Sequence, residues 1–177
     1  MPGQIAKEEL HSIRHGTVCT TANWDVVTGQ ILAPTLPETR DNQDFARHIE
    51  QTIATDPTVT RIFVRNNLIT RCSEPLLHLI ADQLGIAPST LSVVRKQAIL
   101  TNMETRRAFL SGLTQSIRLM YLPEHGSWLN QIDIIFGIIN RDVVSHGQFT
   151  SKDDLIEKLN RFVTYLKQTI ARPVNWT

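Results

Sequence analysis

The sequence predicts an α/β fold, a mixed sheet flanked by helices, and three observations carry that prediction. Two extended stretches around a glycine-bearing turn come early in the chain. Short runs rich in β-branched and aromatic residues then alternate with helical patterns. The chain closes on two helical stretches, one of them strongly amphipathic. With 177 residues and neither an internal repeat nor a low-complexity linker, the whole span 1–177 reads as one domain with a sizeable core.

Residues 1–16 show no periodicity and read as a leader. "TVCTTANWDVVTGQILAPTL" reads as a hairpin turning between Asp25 and Gly29, where glycine supplies the positive φ that tight turns need. Pro34 and Pro37 are expected to end its pairing. "RDNQDFARHIEQTIATDP" is a helix, with Asp41 as N-cap, Phe45, Ile49 and Ile53 on one face, and Pro57 past its end. "RIFVRNNLIT" is a strand, and Ile62, Phe63 and Val64 suit a buried position. "SEPLLHLIADQLG" is a helix capped by Ser73, with Pro75 in its first turn, Leu77, Ile80, Ala81 and Leu84 on one face, and Gly85 at C′. Between 86 and 102, Leu91 to Val94 are compatible with a short strand. "NMETRRAFLSG" is a short helix, and "SIRLMYLPEH" is a strand alternating Ile117, Leu119 and Tyr121 up to Pro123. "SWLNQIDIIFGIINRDVV" reads as one long apolar helix starting at Ser127. "SKDDLIEKLNRFVTYLKQTIARP" is a helix striped by Leu155, Leu159, Phe162, Leu166 and Ile170, with Pro173 beyond it.

The formal net charge is +1, so no global field draws the chain to nucleic acid; Arg95, Lys96, Arg106 and Arg107 read as solvated charges interspersed with acids. Cys19 and Cys72 form neither a disulfide framework nor a zinc set, and reduced thiols in a cytoplasmic protein are expected. The first residues do not form a signal peptide, and no apolar run has membrane-spanning length. No glycine-rich phosphate loop follows a strand, which disfavours a nucleotide-binding module.

One segment combines features that point to chemistry. In "PEHGSWLNQIDIIF", Trp128, Ile132, Ile135 and Ile139 share an apolar face, while Asn130, Asp133 and Gly137 share a small polar one. An acid on a helix near strand ends is where open α/β sheets place their chemistry. Taken alone, Asp133 reads as a solvated helix residue and Asn66-Asn67 as a turn.

"HGSWLNQIDIIF" resembles the "H-x-SWLNQIE-x-x-F" signature of bacterial insertion-sequence transposases of the mariner superfamily. "PGQIAKEELHSIRHGTV", "NWDVVTGQILAPTLPETR" and "RIFVRNNLIT" resemble segments of the same family in the same order, so the resemblance spans nearly the whole chain. It implies an RNase H-like DDE-type endonuclease domain whose acids hold two Mg²⁺ (or Mn²⁺) ions, with transposon-end DNA as substrate. Magnesium takes oxygen ligands in near-octahedral geometry. Two such ions about 4 Å apart clamp the attacking and leaving oxygens of an in-line displacement, and several carboxylates must offset their charge.

Carried over residue by residue, the third acid falls on Asp133, where the family usually has Glu and mariner relatives have Asp. The second falls on Asn66, because this chain reads "FVRNNLITR" where the family reads "FVVDNLNTH". Arg65 then adds a cation beside a lost carboxylate. The first acid belongs to a strand upstream of "PGQIA", so the first strand of the sheet and the N-terminal helix-turn-helix domains are expected to be missing. Asp25, in the hairpin turn, does not replace that acid. The resemblance also puts His125 and Asn130 at the DNA. The resulting expectation is a truncated transposase domain with an incomplete triad, weak or no metal binding, and lost cleavage activity. The alternative is a non-catalytic remnant that binds DNA, an intact transposase or itself.

Overall fold

The structure, a computed structural model, describes residues 17–36, 41–66, 72–91, 99–112, 116–123, 125–126, 129–169 and 172. Its elements alternate as the sequence predicts: β1 (Thr21–Asp25), β2 (Gln30–Thr35), α1 (Asn42–Ala54), β3 (Arg61–Arg65), α2 (Glu74–Gln83), a 3₁₀ turn (Pro88–Leu91), α3 (Met103–Leu110), β4 (Ile117–Tyr121), α4 (Ile132–Ile139), a π turn (Asn140–Val144) and α5 (Lys152–Thr169). The fold is α/β, small sheets flanked by helices, consistent with an RNase H-like domain. Antiparallel and parallel pairing both occur, in separate two-stranded sheets: β1 with β2 antiparallel, and β3 with β4 parallel. Among the described residues no helix is long and apolar enough to cross a membrane.

Local chemistry explains most boundaries. Asp41 and Asp44 form a reciprocal capping box at the start of α1, and Asn102 and Thr105 form another at the start of α3. The α2 start differs from expectation: Ser73 stands at the N-cap, but its hydroxyl is buried and makes no capping bond. Gly85 has φ +67° just past Leu84 and closes that helix as anticipated. In the hairpin, Gly29 has φ +71°, and its amide donates to the Asp25 carbonyl at 2.7 Å. Pro34 does not stop β2. The ladder continues to Thr35 through a register shift between Thr21 and Asn23, near Ala33 with φ +42°. An irregularity of this kind absorbs the missing proline N–H. The long helix expected from Ser127 is also corrected. Leu129 and Asn130 lie outside α4, Gln131 is its N-cap, and 127–128 fall outside the described residues. The expected strand beyond Leu91, at 92–94, and the expected positions of Ile170 and Pro173 fall outside them too.

Two apolar cores organise the molecule. The first joins α1, α2, α3, β3 and β4 around Ile49, Leu76, Leu77, Ile80, Leu110 and Leu119. The second joins the hairpin, α4 and α5 around Ile31, Ile135, Ile139, Leu159, Val163 and Leu166. Burying each such aliphatic side chain contributes about 1.5–3 kcal/mol.

The β3 strand reverses its expected burial. The pleat sends Arg61, Phe63 and Arg65 toward the helices and Ile62 and Val64 away. Ile62 and Val64 are 51% and 54% exposed, whereas Arg65 is 5% exposed. Val64 pairs with Met120 of β4, itself 45% exposed, so one face of the parallel pair exposes apolar side chains beside Arg118, the partner of Ile62.

Candidate functional site

The two positions that the resemblance assigns to the triad stand on elements of different cores. Asn66 directly follows β3 and is half-buried. Its side-chain oxygen is buried and has no hydrogen-bond partner among the described residues. A buried acceptor without a donor costs about 1–3 kcal/mol, so this position is chemically unsettled. Asp133 lies in the first turn of α4, is exposed, and donates its backbone N–H to the Asn130 carbonyl at 3.0 Å. A carboxylate is favoured there by the helix dipole alone. No hydrogen bond links Asn66 to Asp133.

The Arg65 cation is engaged by aromatic rings. Its guanidinium carbon sits 4.2 Å from the Phe45 ring centroid and 5.7 Å from that of Tyr121. Arg107 approaches the same Tyr121 ring at 5.7 Å. Cys72 Sγ and Tyr121 Oη are joined by a hydrogen bond of 3.1 Å. Burial first, and then that bond to Cys72, push the Tyr121 phenol above its usual range. Arg106 donates to the carbonyls of Leu100 and Cys72. Arg106 and Arg107 are thus partly buried structural cations, contrary to the solvated reading; Arg95 and Lys96 fall outside the described residues.

His125 has φ +64°, a left-handed conformation that histidine enters more readily than most residues, and its side chain is exposed. Asn130 is half-buried and contributes its backbone carbonyl to the entry of α4. Glu124, Ser127 and Trp128 lie outside the described residues.

A metal-pair site calls for several oxygen anions around one point. Among the described residues no three His, Cys, Asp or Glu side chains come together. The two carried-over positions offer one exposed carboxylate and one neutral amide oxygen. That set does not fit a magnesium pair.

Sequence reasoning passed over a polar network at the hairpin. Asn23 Nδ2 lies 2.8 Å from His48 Nε2 and 2.7 Å from Thr52 Oγ1, and His48 and Thr52 are both buried. The signal was present: His48 and Thr52 fall on the same helical stripe as Phe45, Ile49 and Ile53.

The family model described as DDE superfamily endonuclease matches residues 2–156. The chain belongs to this family. Transposase-type nucleases of the DDE superfamily act on DNA and generally use divalent metals. No curated protein and no solved structure matches the chain.

Proposed function

We propose that the chain is a DDE domain of the mariner-type bacterial insertion-sequence kind whose metal-dependent cleavage and transfer of transposon ends has been lost. Asn66 carries this reading. It occupies the strand end that corresponds to the second acid, as a neutral amide with a buried oxygen that has no hydrogen-bond partner among the described residues. Asp133, one methylene shorter than the usual Glu, remains as an isolated exposed carboxylate. One carboxylate and one amide give too little negative charge for two divalent ions held close together. The test is nicking of supercoiled plasmid and inverted-repeat duplexes by the purified chain with Mg²⁺ or Mn²⁺. No product is expected, and metal-dependent nicking by the unaltered protein overturns the reading. Titration calorimetry provides a second check: saturable Mg²⁺ or Mn²⁺ binding at millimolar affinity or tighter contradicts it.

A second reading, a non-catalytic partner of DNA, of an intact transposase or of a second copy, is favoured by the exposed β3–β4 face. Parallel strands are ordinarily covered on both faces, and this pair exposes Ile62, Val64 and Met120. Co-purification with an intact transposase, or a mass that rises with concentration, supports it. A strictly monomeric chain that ignores both transposase and DNA sinks it.

A further inference from the structure

The two apolar cores meet where α1 of the first packs on the β1–β2 hairpin of the second, and the described side-chain hydrogen bonds across that seam run from Asn23 of β1 to His48 and Thr52 of α1. The proton positions follow from the geometry. Thr52 Oγ1 donates its single proton to the His48 carbonyl at 2.9 Å, so it accepts from Asn23 Nδ2 at 2.7 Å. This fixes the orientation of the Asn23 amide, whose second N–H points at His48 Nε2, 2.8 Å away. Nε2 therefore accepts and carries no proton, and the neutral ring holds its proton on Nδ1. Nδ1 makes no hydrogen bond by strict geometry, yet the Ala33 carbonyl of β2 is near enough to favour a proton there. His48 thus touches both strands of the hairpin from α1. A second proton, on Nε2, would set one N–H donor against another inside a site that is 2% exposed.

We propose that this contact is an acid-operated latch: protonation of His48 releases the hairpin, with the second core, from α1, while the first core stays folded. Neighbouring groups do not offset the charge. The β2 strand has no titratable side chain. On β1, the Asp25 carboxylate accepts from the Val27 amide and the Thr28 hydroxyl in the turn. On α1, Asp44 is engaged in the capping box and with Arg47, and Glu50 is exposed. On α2, which packs against α1, Glu74, His78 and Asp82 are all exposed. Arg65, stacked on Phe45 one turn before His48, adds a cation that opposes a second one.

Burial, outweighing the Ala33 carbonyl, holds the ring's pKa down to about 4 from 6.5. Because the docked-state pKa is lowered, docking has full strength above pH 6.5 and weakens as the pH falls toward 4. At pH 5 the linkage weakens docking about 20-fold relative to neutral pH. Asn66 and Asp133 lie on opposite sides of the seam, so the latch also sets whether those positions share one rigid frame.

Hydrogen exchange of the full chain, corrected for intrinsic rates, tests this at about pH 7 and about pH 5. The expected result is a roughly 20-fold loss of protection in β1 and β2 at the lower pH, with α2, β3 and β4 unchanged. In His48→Gln, hairpin protection should be the same at both pH values. Loss of protection by both cores together, or a hairpin insensitive to pH in the unaltered protein, overturns the proposal. If the variant does not fold, an NMR titration of the His48 ring in the unaltered protein decides instead. A midpoint below about pH 5.5 supports the latch, and one above it refutes it.

Discussion

Gly29 and Gly85 offer a controlled pair for separating backbone strain from steric exclusion. Both have left-handed φ, +71° and +67°. An added Cβ at Gly85 meets nothing, whereas one at Gly29 would overlap the backbone N, C and O of Arg172, which crosses the hairpin turn. Gly85→Ala should therefore cost only the conformational term, about 1–2 kcal/mol. Gly29→Ala adds a clash that no side-chain rotation relieves, because the obstructing atoms are main chain. Displacing Arg172 from the turn raises the cost above about 3 kcal/mol. Gly29→Asn sharpens the comparison. Asparagine tolerates left-handed φ, so it recovers most of the conformational term and none of the clash. Urea unfolding at neutral pH reads all three variants. The expected order is Gly85→Ala mildest, with Gly29→Ala and Gly29→Asn similar and severe. Equal losses for the two alanine variants, or full recovery by asparagine at 29, would refute the claim that the Arg172 crossing requires glycine.

Further outcomes follow from individual contacts. Asp41→Ala and Asn102→Ala should each cost about 1 kcal/mol by urea unfolding, since each removes one side of a capping box. Arg65→Met keeps an unbranched stem between Phe45 and Tyr121 and should stay within about 1.5 kcal/mol of the parent, whereas Arg65→Asp buries an anion in their place and should cost more than about 3 kcal/mol. Asn66→Asp should leave metal-dependent nicking absent in the plasmid assay, because it restores one carboxylate where, among the described residues, no three His, Cys, Asp or Glu side chains come together. Val64→Lys, at a residue 54% exposed, should change stability by less than about 0.5 kcal/mol and abolish any concentration-dependent self-association seen by light scattering.

Elements with self-contained local signals were legible in the sequence. Asp41 with Asp44, Asn102 ahead of Met103, and Gly29 and Gly85 each announce a boundary through chemistry within a few residues. The strand β3 was legible as a strand but not in its burial. "RIFVR" presents aliphatics on one face and Arg61, Phe63 and Arg65 on the other, and the face that is covered depends on where α1 lies. Arg65 is buried because Phe45 and Tyr121, 20 residues before it and 56 after, supply aromatic faces for its guanidinium. No local pattern encodes that meeting. The start of α4 was missed for a related reason. "SWLNQIDIIF" has helical periodicity throughout, yet the Gly126 amide bonds the Pro123 carbonyl and the Leu129 amide bonds the Gly126 carbonyl. These are tight-turn bonds, and they delay the helix to Ile132.

The inward turn of Arg65 changes what the Asn66 position means. Read linearly, "RN" sets a cation beside a lost acid, and the cation alone would discourage a metal. Folded, the cation is engaged elsewhere: the buried guanidinium stacks on the Phe45 and Tyr121 rings, while Asn66 stands past the end of the strand. The obstacle to chemistry at position 66 is therefore the neutral amide itself, not repulsion by Arg65. Removing the cation and restoring the acid are then independent changes. Arg65→Met should leave the divalent-metal affinity of Asn66→Asp unaltered in titration calorimetry, within about threefold, because the guanidinium is held on the Phe45 and Tyr121 rings. A large gain in affinity in the double variant would show that Arg65 reaches position 66 after all, and would return the cation to the list of reasons for the lost activity.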